Sequence, residues 1–371
     1  MKKVLVIILQ VLPILLMITA NPGYSSASEA ENTAEDDGSG SSLGAVPMIG
    51  YSPETKLLFG AAGIYTFHMD KHGGRPSSIP VMSIYTQKKQ YSIGLAPELY
   101  LSGDRYRVTG GISFAKFPDK FYGIGNNTLD DMEEDYTPQW ILFNAGLQRR
   151  IYIGLNFGVQ YEFEKSKVTE ADPDGLLATG QIDGSEGGIN SGAGLLMNWD
   201  DRDNIFFPTA GRFYQISSMT YTDILGSDYE FTRLGLDLRQ YIPILPSHTL
   251  ALQGLINYIT GDPPFHKLSL LGGQNIVRGY YLGRYREKNM IAFQMEYRVL
   301  PVWWRRLGVV GFYGLGAVAN EMSDFELDDF KHSVGVGLRF QLDTKERVNF
   351  RVDYAYGKDS SGIYITALEA F

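Results

Sequence analysis

The sequence predicts an all-β fold, a transmembrane antiparallel β-barrel of about 16 strands. Three observations predict it. Apolar and polar residues alternate with period two over segments of ten to fourteen residues. No stretch beyond the N-terminus approaches the ~18 consecutive apolar residues that a spanning helix needs. The N-terminus itself has the layout of an export signal.

Lys2 and Lys3 form a short positive region, and Val4 to Ala20 is apolar apart from Gln10, Pro13 and Thr19. The small-x-Ala triplets Ser25-Ser26-Ala27 and Ser28-Glu29-Ala30 follow as cleavage candidates. Residues 1–27 are therefore expected to be a signal peptide. Residues 28–43 are acidic, small and almost without apolar side chains. Such a stretch cannot bury enough surface to offset its chain entropy, so it is expected to be a disordered linker. From residue 44 to 371 Tyr and Phe become abundant and Gly recurs every few positions, which marks the barrel domain. The absence of cysteine excludes thiolate metal sites and cysteine catalysis, and the net charge of −9 disfavours a nucleic-acid partner.

The alternation is clearest in three segments. Ile291, Phe293, Met295, Tyr297 and Val299 oppose Ala292, Gln294, Glu296 and Arg298. Val348, Phe350, Val352, Tyr354 and Tyr356 oppose Asn349, Arg351, Asp353 and Ala355. Between Ile151 and Glu164, Ile153, Leu155, Phe157, Val159, Tyr161 and Phe163 alternate with Gly, Asn, Gln and Glu. Globular strands have a mode of about five to six residues, whereas tilted transmembrane strands need about 9–11. Unpaired backbone groups are intolerable in hydrocarbon, so strands of this kind must close into a barrel with the polar face in the lumen.

Turn signals divide the domain into sixteen segments: 44–50, 56–68, 78–87, 90–101, 105–117, 138–150, 151–165, 187–199, 211–222, 229–242, 249–260, 289–300, 307–320, 332–342, 347–357 and 362–371. With a periplasmic N-terminus the long connections (118–137, 166–186, 261–288 and 321–331) fall outside and the short ones inside, the usual asymmetry. Aromatic residues near strand ends, including Tyr100, Phe121, Tyr122, Trp140, Trp199, Phe206, Phe207, Trp303 and Trp304, read as interfacial girdles. Phe371 reads as the terminal aromatic signal of the closing strand.

Two motifs stand above this pattern. One runs Asp200-Asp201-Arg202-Asp203-Asn204-Ile205-Phe206-Phe207-Pro208-Thr209-Ala210-Gly211 in a periplasmic turn. The other runs Gly272-Gly273-Gln274-Asn275-Ile276-Val277-Arg278-Gly279-Tyr280 in the long connection before the twelfth strand. With Phe293 to Arg298, Ser333 to Arg339 and Arg351 to Tyr356, they resemble the bacterial surface-antigen superfamily, the BamA- and TamA-like assembly and translocation barrels of the outer membrane. The resemblance covers residues 44–371 and is strongest from Trp199 onward.

The resemblance implies that the long external loop folds into the lumen. There Arg278, flanked by Gly273, Val277, Gly279 and Tyr280, would lock onto lumenal carboxylates. Relatives carry an acid where this chain reads Phe312-Tyr313-Gly314-Leu315-Gly316, so the position expected to be acidic is Gly314. Glu296 and Asp353, both predicted to face the lumen, are the replacement partners. In the turn, Asp201, Arg202, Asp203, Pro208 and Gly211 are expected to act structurally, through Asx-type hydrogen bonds and pairing with Arg202 or Arg212. A cation site there is the less favoured alternative. The 28–43 linker is too short for a folded periplasmic module, so the resemblance is to the barrel-only branch.

The expected function is insertion, assembly or translocation of proteins at the bacterial outer membrane. Its expected partners are lipopolysaccharide, phospholipid and unfolded protein clients. Pro47, which cannot donate a ladder hydrogen bond, suits an edge strand at an openable seam between the first and last strands. The alternative is a gated or low-conductance pore, which needs the same polar lumen. His68, His72, His248, His266 and His332 are scattered and no nucleophile arrangement is recognisable, so no catalytic residue, metal or cofactor is expected.

Overall fold

The computed structural model describes residues 41–69, 76–302, 306–344 and 347–371. The expected signal peptide, most of the expected linker, His72, Trp303 and Trp304 lie outside them. Among the described residues, sixteen antiparallel strands close into one barrel. The first eight are β1 (Ser42–Ser52), β2 (Lys56–Phe67), β3 (Ser77–Thr86), β4 (Tyr91–Leu95 and Glu98–Leu101), β5 (Tyr106–Lys116, continued by Asp119–Phe121), β6 (Glu134–Tyr152), β7 (Leu155–Ala171) and β8 (Gly187–Asp200). The second eight are β9 (Gly211–Tyr221), β10 (Phe231–Leu245), β11 (His248–Gly261), β12 (Asn289–Val299), β13 (Leu307–Ala319), β14 (Lys331–Asp343), β15 (Val348–Gly357) and β16 (Ser360–Ala367). No described helix is long and apolar enough to cross a membrane.

Each strand pairs with the next in sequence, and β1 meets β16. Closure satisfies the backbone donors and acceptors that hydrocarbon would leave bare. The alternation sorts as expected on β7, β12 and β15. Val159, Phe293, Tyr354 and Tyr356 face outward and are exposed, while Glu162, Glu164, Gln294, Glu296, Arg298, Arg351 and Asp353 are buried in the lumen.

Five features differ from expectation. β1 starts at Ser42, two residues inside the stretch read as linker. The turn between β6 and β7 falls at Ile153-Gly154, so Ile151 and Tyr152 belong to β6. Both strands are longer than read, at 19 and 17 residues, reaching out to Glu134 and Ala171. There Tyr136 packs with Phe121, Leu177, Phe265 and Leu268 under the loops. The inner wall of β2 and β3 is apolar, carrying Leu58, Ala62, Ile64, Met82 and Ile84, so the polar lumen is one-sided.

The closing strand also ends early. β16 stops at Ala367, so Phe371 is not its terminal residue as expected. Leu368 takes a positive φ of 67° and the chain turns inward. Phe371 is buried beside Tyr241, Ala251 and Ala370, and its carbonyl accepts from Arg298 Nη2 at 2.9 Å. A buried guanidinium needs acceptors, and this one draws the terminal residues into the lumen. Tyr100, Phe121, Tyr122, Phe206 and Phe207 are likewise buried rather than at an interfacial girdle. They seal the barrel ends, Phe206 by packing with Val348 and Leu368.

Candidate functional site: a lumen-crossing loop and a weak seam

The connection between β11 and β12, residues 262–288, descends into the lumen. A two-stranded hairpin of Ser269–Leu271 and Tyr285–Glu287 forms its neck. Its tip bends through positive φ at Gly272, Gly273, Val277 and Gly279. At Gly279 (φ 112°) an added Cβ would stand 3.0 Å from Gly357 N, so the close approach to β15 requires glycine. Val277 at φ 48° is β-branched, a backbone conformation it takes only because its surroundings impose it. Its N–H donates to Gln294 Oε1 at 2.9 Å, and Gln294 Nε2 donates to Asn275 O at 2.8 Å. Ser360 Oγ donates to Gly279 O at 2.7 Å, and Gly279 N–H donates to Tyr364 Oη at 3.0 Å. Tyr280 Oη donates to His332 O at 3.0 Å and accepts from Lys358 N–H at 2.8 Å.

These contacts place Arg278 between β12 and β15. Its Nη2 pairs with Glu296 and its Nη1 donates to Asp353 Oδ2 at 2.5 Å. The guanidinium carbon lies 3.6 Å from the Phe312 ring centroid. Both carboxylates are shared: Arg298 pairs with Glu296 at 2.7 Å, and Arg339 with Asp353 at 2.5 Å. Glu369 takes the other side of Arg339 at 2.6 Å, and Arg351 reaches Gln274 O at 3.1 Å. The result is an alternating lattice of cations and carboxylates in which each charge has a counter-charge, the condition for burying any of them. At Gly314 a Cβ would lie 3.4 Å from Val277 Cα, an ordinary contact, so this position faces the loop tip but supplies no carboxylate to it.

The sequence reading missed a second anchor. Lys267, in the descending limb, donates to Glu162 Oε1 at 2.8 Å and Glu164 Oε2 at 2.9 Å, both on β7. Tyr221 Oη also donates to Glu162, at 2.7 Å, and His266 Nε2 stands 3.1 Å from Glu164. Burial alone would depress the Lys267 pKa, but the two glutamates raise it well above the usual lysine range, so the ammonium stays charged. The inward period of Glu162 and Glu164 was legible; their partner, a lone lysine in a loop, carried no signal. The loop is thus tied to β7 on one wall and to β12 and β15 on another.

The turn between β8 and β9 is built from its acids. Arg202 forks onto Asp200, with Nη2 to Oδ2 at 2.7 Å and Nε to Oδ1 at 2.8 Å. Arg212 Nε donates to Asp201 Oδ2 at 3.0 Å. Asp203 accepts from Thr209 N–H at 2.8 Å and Ala210 N–H at 3.0 Å. Asn204 Oδ1 caps Phe206 and Phe207 N–H, both at 2.8 Å, ahead of Pro208. Gly211 has φ 94°, and a Cβ there would strike Asp201 O. Arg347, just ahead of β15, spans to this turn and donates to Asp203 Oδ2 at 2.6 Å.

The seam is the last element. β1 and β2 are registered from Ser42↔Thr66 to Ser52↔Lys56, and β15 and β16 from Phe350↔Ala367 to Gly357↔Ser360. Between β1 and β16 one pair is in register among the described residues, Tyr51 opposite Ile365. Pro47 lies in the middle of β1, where it withholds an N–H from the edge.

A family model describing the Omp85 superfamily domain matches residues 73–364. The chain belongs to the Omp85 superfamily. The Omp85 barrel is similar to that of BamA from Haemophilus ducreyi lacking POTRA domains 1–3, with a TM-score of 0.64 and 14% identity, over 89% of this chain and 70% of that one. It is also similar to CdiB from Acinetobacter baumannii (TM-score 0.59, 12% identity, 88% and 59%) and CdiB from Escherichia coli (0.58, 10%, 88% and 62%). The chain thus spans about three-fifths of either CdiB. At these identities the likeness is one of fold. Superfamily membership places this Omp85 barrel in the bacterial outer membrane and assigns it to protein insertion or translocation there.

Proposed function

We propose that the barrel inserts client proteins into the outer membrane through the β1–β16 seam, while the 262–288 loop braces the lumen. One observation carries this reading: the single registered pair, Tyr51↔Ile365, where every neighbouring junction is an extended ladder. A seam short of backbone hydrogen bonds is the junction that parts at least cost. The clients are unfolded outer-membrane or secreted proteins, and the surrounding partners are lipopolysaccharide and phospholipid. Arg278 with Glu296 and Asp353 acts as the loop lock, and the Asp201–Gly211 turn as a structural clasp. Phe371 serves as a lumenal terminus held by Arg298. No catalytic role is proposed. The residues ahead of Ser42 are a cleaved signal and linker in this reading.

The test is the folding rate of a urea-denatured outer-membrane barrel added to liposomes with the protein reconstituted in them. The chain has no cysteine, so Tyr51→Cys with Ile365→Cys makes a clean cross-seam pair. Reduced protein accelerates client folding and oxidised protein does not. Full acceleration by the oxidised form overturns the seam mechanism. No acceleration by either form favours a gated pore, with ion conductance as the next readout. The pore reading is the weaker one, because the loop crosses the lumen and is tied at two walls.

A further inference from the structure

The long loop carries a third buried cation that neither anchor uses. Arg286 is 2% exposed, and its guanidinium lies 4.9 Å from the Phe121 ring centroid and 5.7 Å from that of Phe265. Its hydrogen bond to protein is a long one, Nη2 to Lys120 O at 3.4 Å, with the Tyr136 hydroxyl nearby. Nε has no partner among the described residues, and the Asp119 carboxylate acts on the guanidinium from beyond ion-pair distance. The other fully buried arginines differ. Arg278, Arg298, Arg339 and Arg351 each face Glu296, Asp353 or Glu369. A guanidinium without a close counter-charge is costly to bury, and a compact anion would relieve that cost.

Arg286 lines a cavity of about 210 Å³ between the loop and the first strands. Its inner wall is apolar, formed by Met48, Leu58, Met82 and Ile84. Ile49, Tyr51 and Ile365 also line it, and these belong to the outward face of the seam, where Ile49 is 63% exposed. The cavity therefore reaches the lipid side through the weakest junction of the barrel. Apolar cavities of ~150 Å³ hold a benzene-sized molecule rather than water, so this one has room for a stretch of one hydrocarbon chain and not two. Three carboxylates share its wall, and each already has a donor. Glu54 takes Leu282 N–H at 3.0 Å, Asp119 takes the Tyr281 hydroxyl at 2.8 Å, and Glu164 takes Lys267. His266 is engaged with Glu164.

We propose that this cavity binds a fatty acid, its carboxylate on Arg286 and its chain along Met82 and Ile84, entering from the membrane through the β1–β16 seam. The planar guanidinium fork matches a carboxylate, the apolar wall matches an alkyl chain, and the mouth admits a ligand already dissolved in lipid. This site goes beyond the insertion reading and does not depend on it.

The experiment is a fluorescence titration of the full chain in nanodiscs with cis-parinaric acid, followed by competition with oleate, oleyl alcohol and lysophosphatidylglycerol. Saturable binding is expected, displaced by oleate and not by the alcohol. Arg286→Gln should weaken it about tenfold or more, the worth of one charge-assisted pair. Met82→Trp should abolish it by filling the cavity. Unchanged heat-modifiable gel mobility shows that Arg286→Gln is folded, and that variant decides the matter if Met82→Trp is not. Equal binding by wild type and Arg286→Gln overturns the site, as does equal competition by oleyl alcohol. Displacement by lysophosphatidylglycerol at lower concentration than oleate overturns the fatty acid in favour of a phosphate headgroup.

Discussion

Arg278 and Asp353 stand 75 residues apart in the chain, yet Arg278 Nη1 donates to Asp353 Oδ2 at 2.5 Å inside the lumen. The contact joins the loop tip to β15 and makes the loop part of the barrel wall. Glu296 grips the other side of the same guanidinium, so one side chain links β12, the loop and β15.

Removing that side chain leaves Glu296 with Arg298 alone and Asp353 with Arg339 and Arg351. Arg278→Ala is expected to destabilise the barrel by about 3–5 kcal/mol, the usual cost of breaking one side of a buried ion pair. Arg278→Lys keeps the charge but loses the fork that spans both acids, and should fall between. The temperature at which the folded band disappears on semi-native gels orders the three proteins. Identical temperatures would remove the lock.

The Lys267 anchor should behave independently of the first, because it ties the loop to a different wall. Lys267→Met leaves Glu162 and Glu164 side by side without their ammonium, and a loss of about 3–5 kcal/mol is expected. Combining it with Arg278→Ala in a double-mutant cycle measures how far the two anchors cooperate through the loop. Urea midpoints of the four proteins give the coupling directly.

Gly279→Ala probes the backbone rather than the charge. The φ of 112° disfavours any side chain, and the new Cβ would press on Gly357 N and Tyr356 C at 3.0 and 3.1 Å. A destabilisation of about 1–3 kcal/mol is expected, with the loop tip displaced from β15. Faster protease cleavage within residues 262–288, with the strands intact, would register it.

Asp203 supplies a pH dependence at the turn end. Burial works to raise its pKa, but the Thr209 hydroxyl, the Ala210 N–H and the Arg347 guanidinium together hold it below the ordinary aspartate value of 3.8. Between the depressed folded pKa and 3.8 the unfolded chain binds more protons. The contribution is therefore complete above about 3.8 and is lost as pH falls through the folded pKa. Asp203→Asn should lower stability at neutral pH and flatten this acid limb, as read by unfolding at a series of pH values. An unchanged acid limb would show that the clasp is not the titrating element.

The strands, their two faces and the loop lengths were legible in the residues alone. Those follow from a local rule: period-two alternation over spans long enough to cross hydrocarbon, broken by Gly and Pro. The same alternation pointed Glu296, Asp353, Glu162 and Glu164 inward, and motif resemblance singled out Arg278. Which of these side chains meet follows from the folded barrel. Lys267 reaches Glu162 across 105 residues, and Arg278 meets Asp353 across 75, because loop descent and barrel closure bring them together. Local pattern carries no record of either. Phe371 shows the limit most plainly. Read from sequence as the end of the closing strand, it lies four residues beyond β16 and inside the lumen, where Arg298, a buried charge 73 residues upstream, finds in it an acceptor.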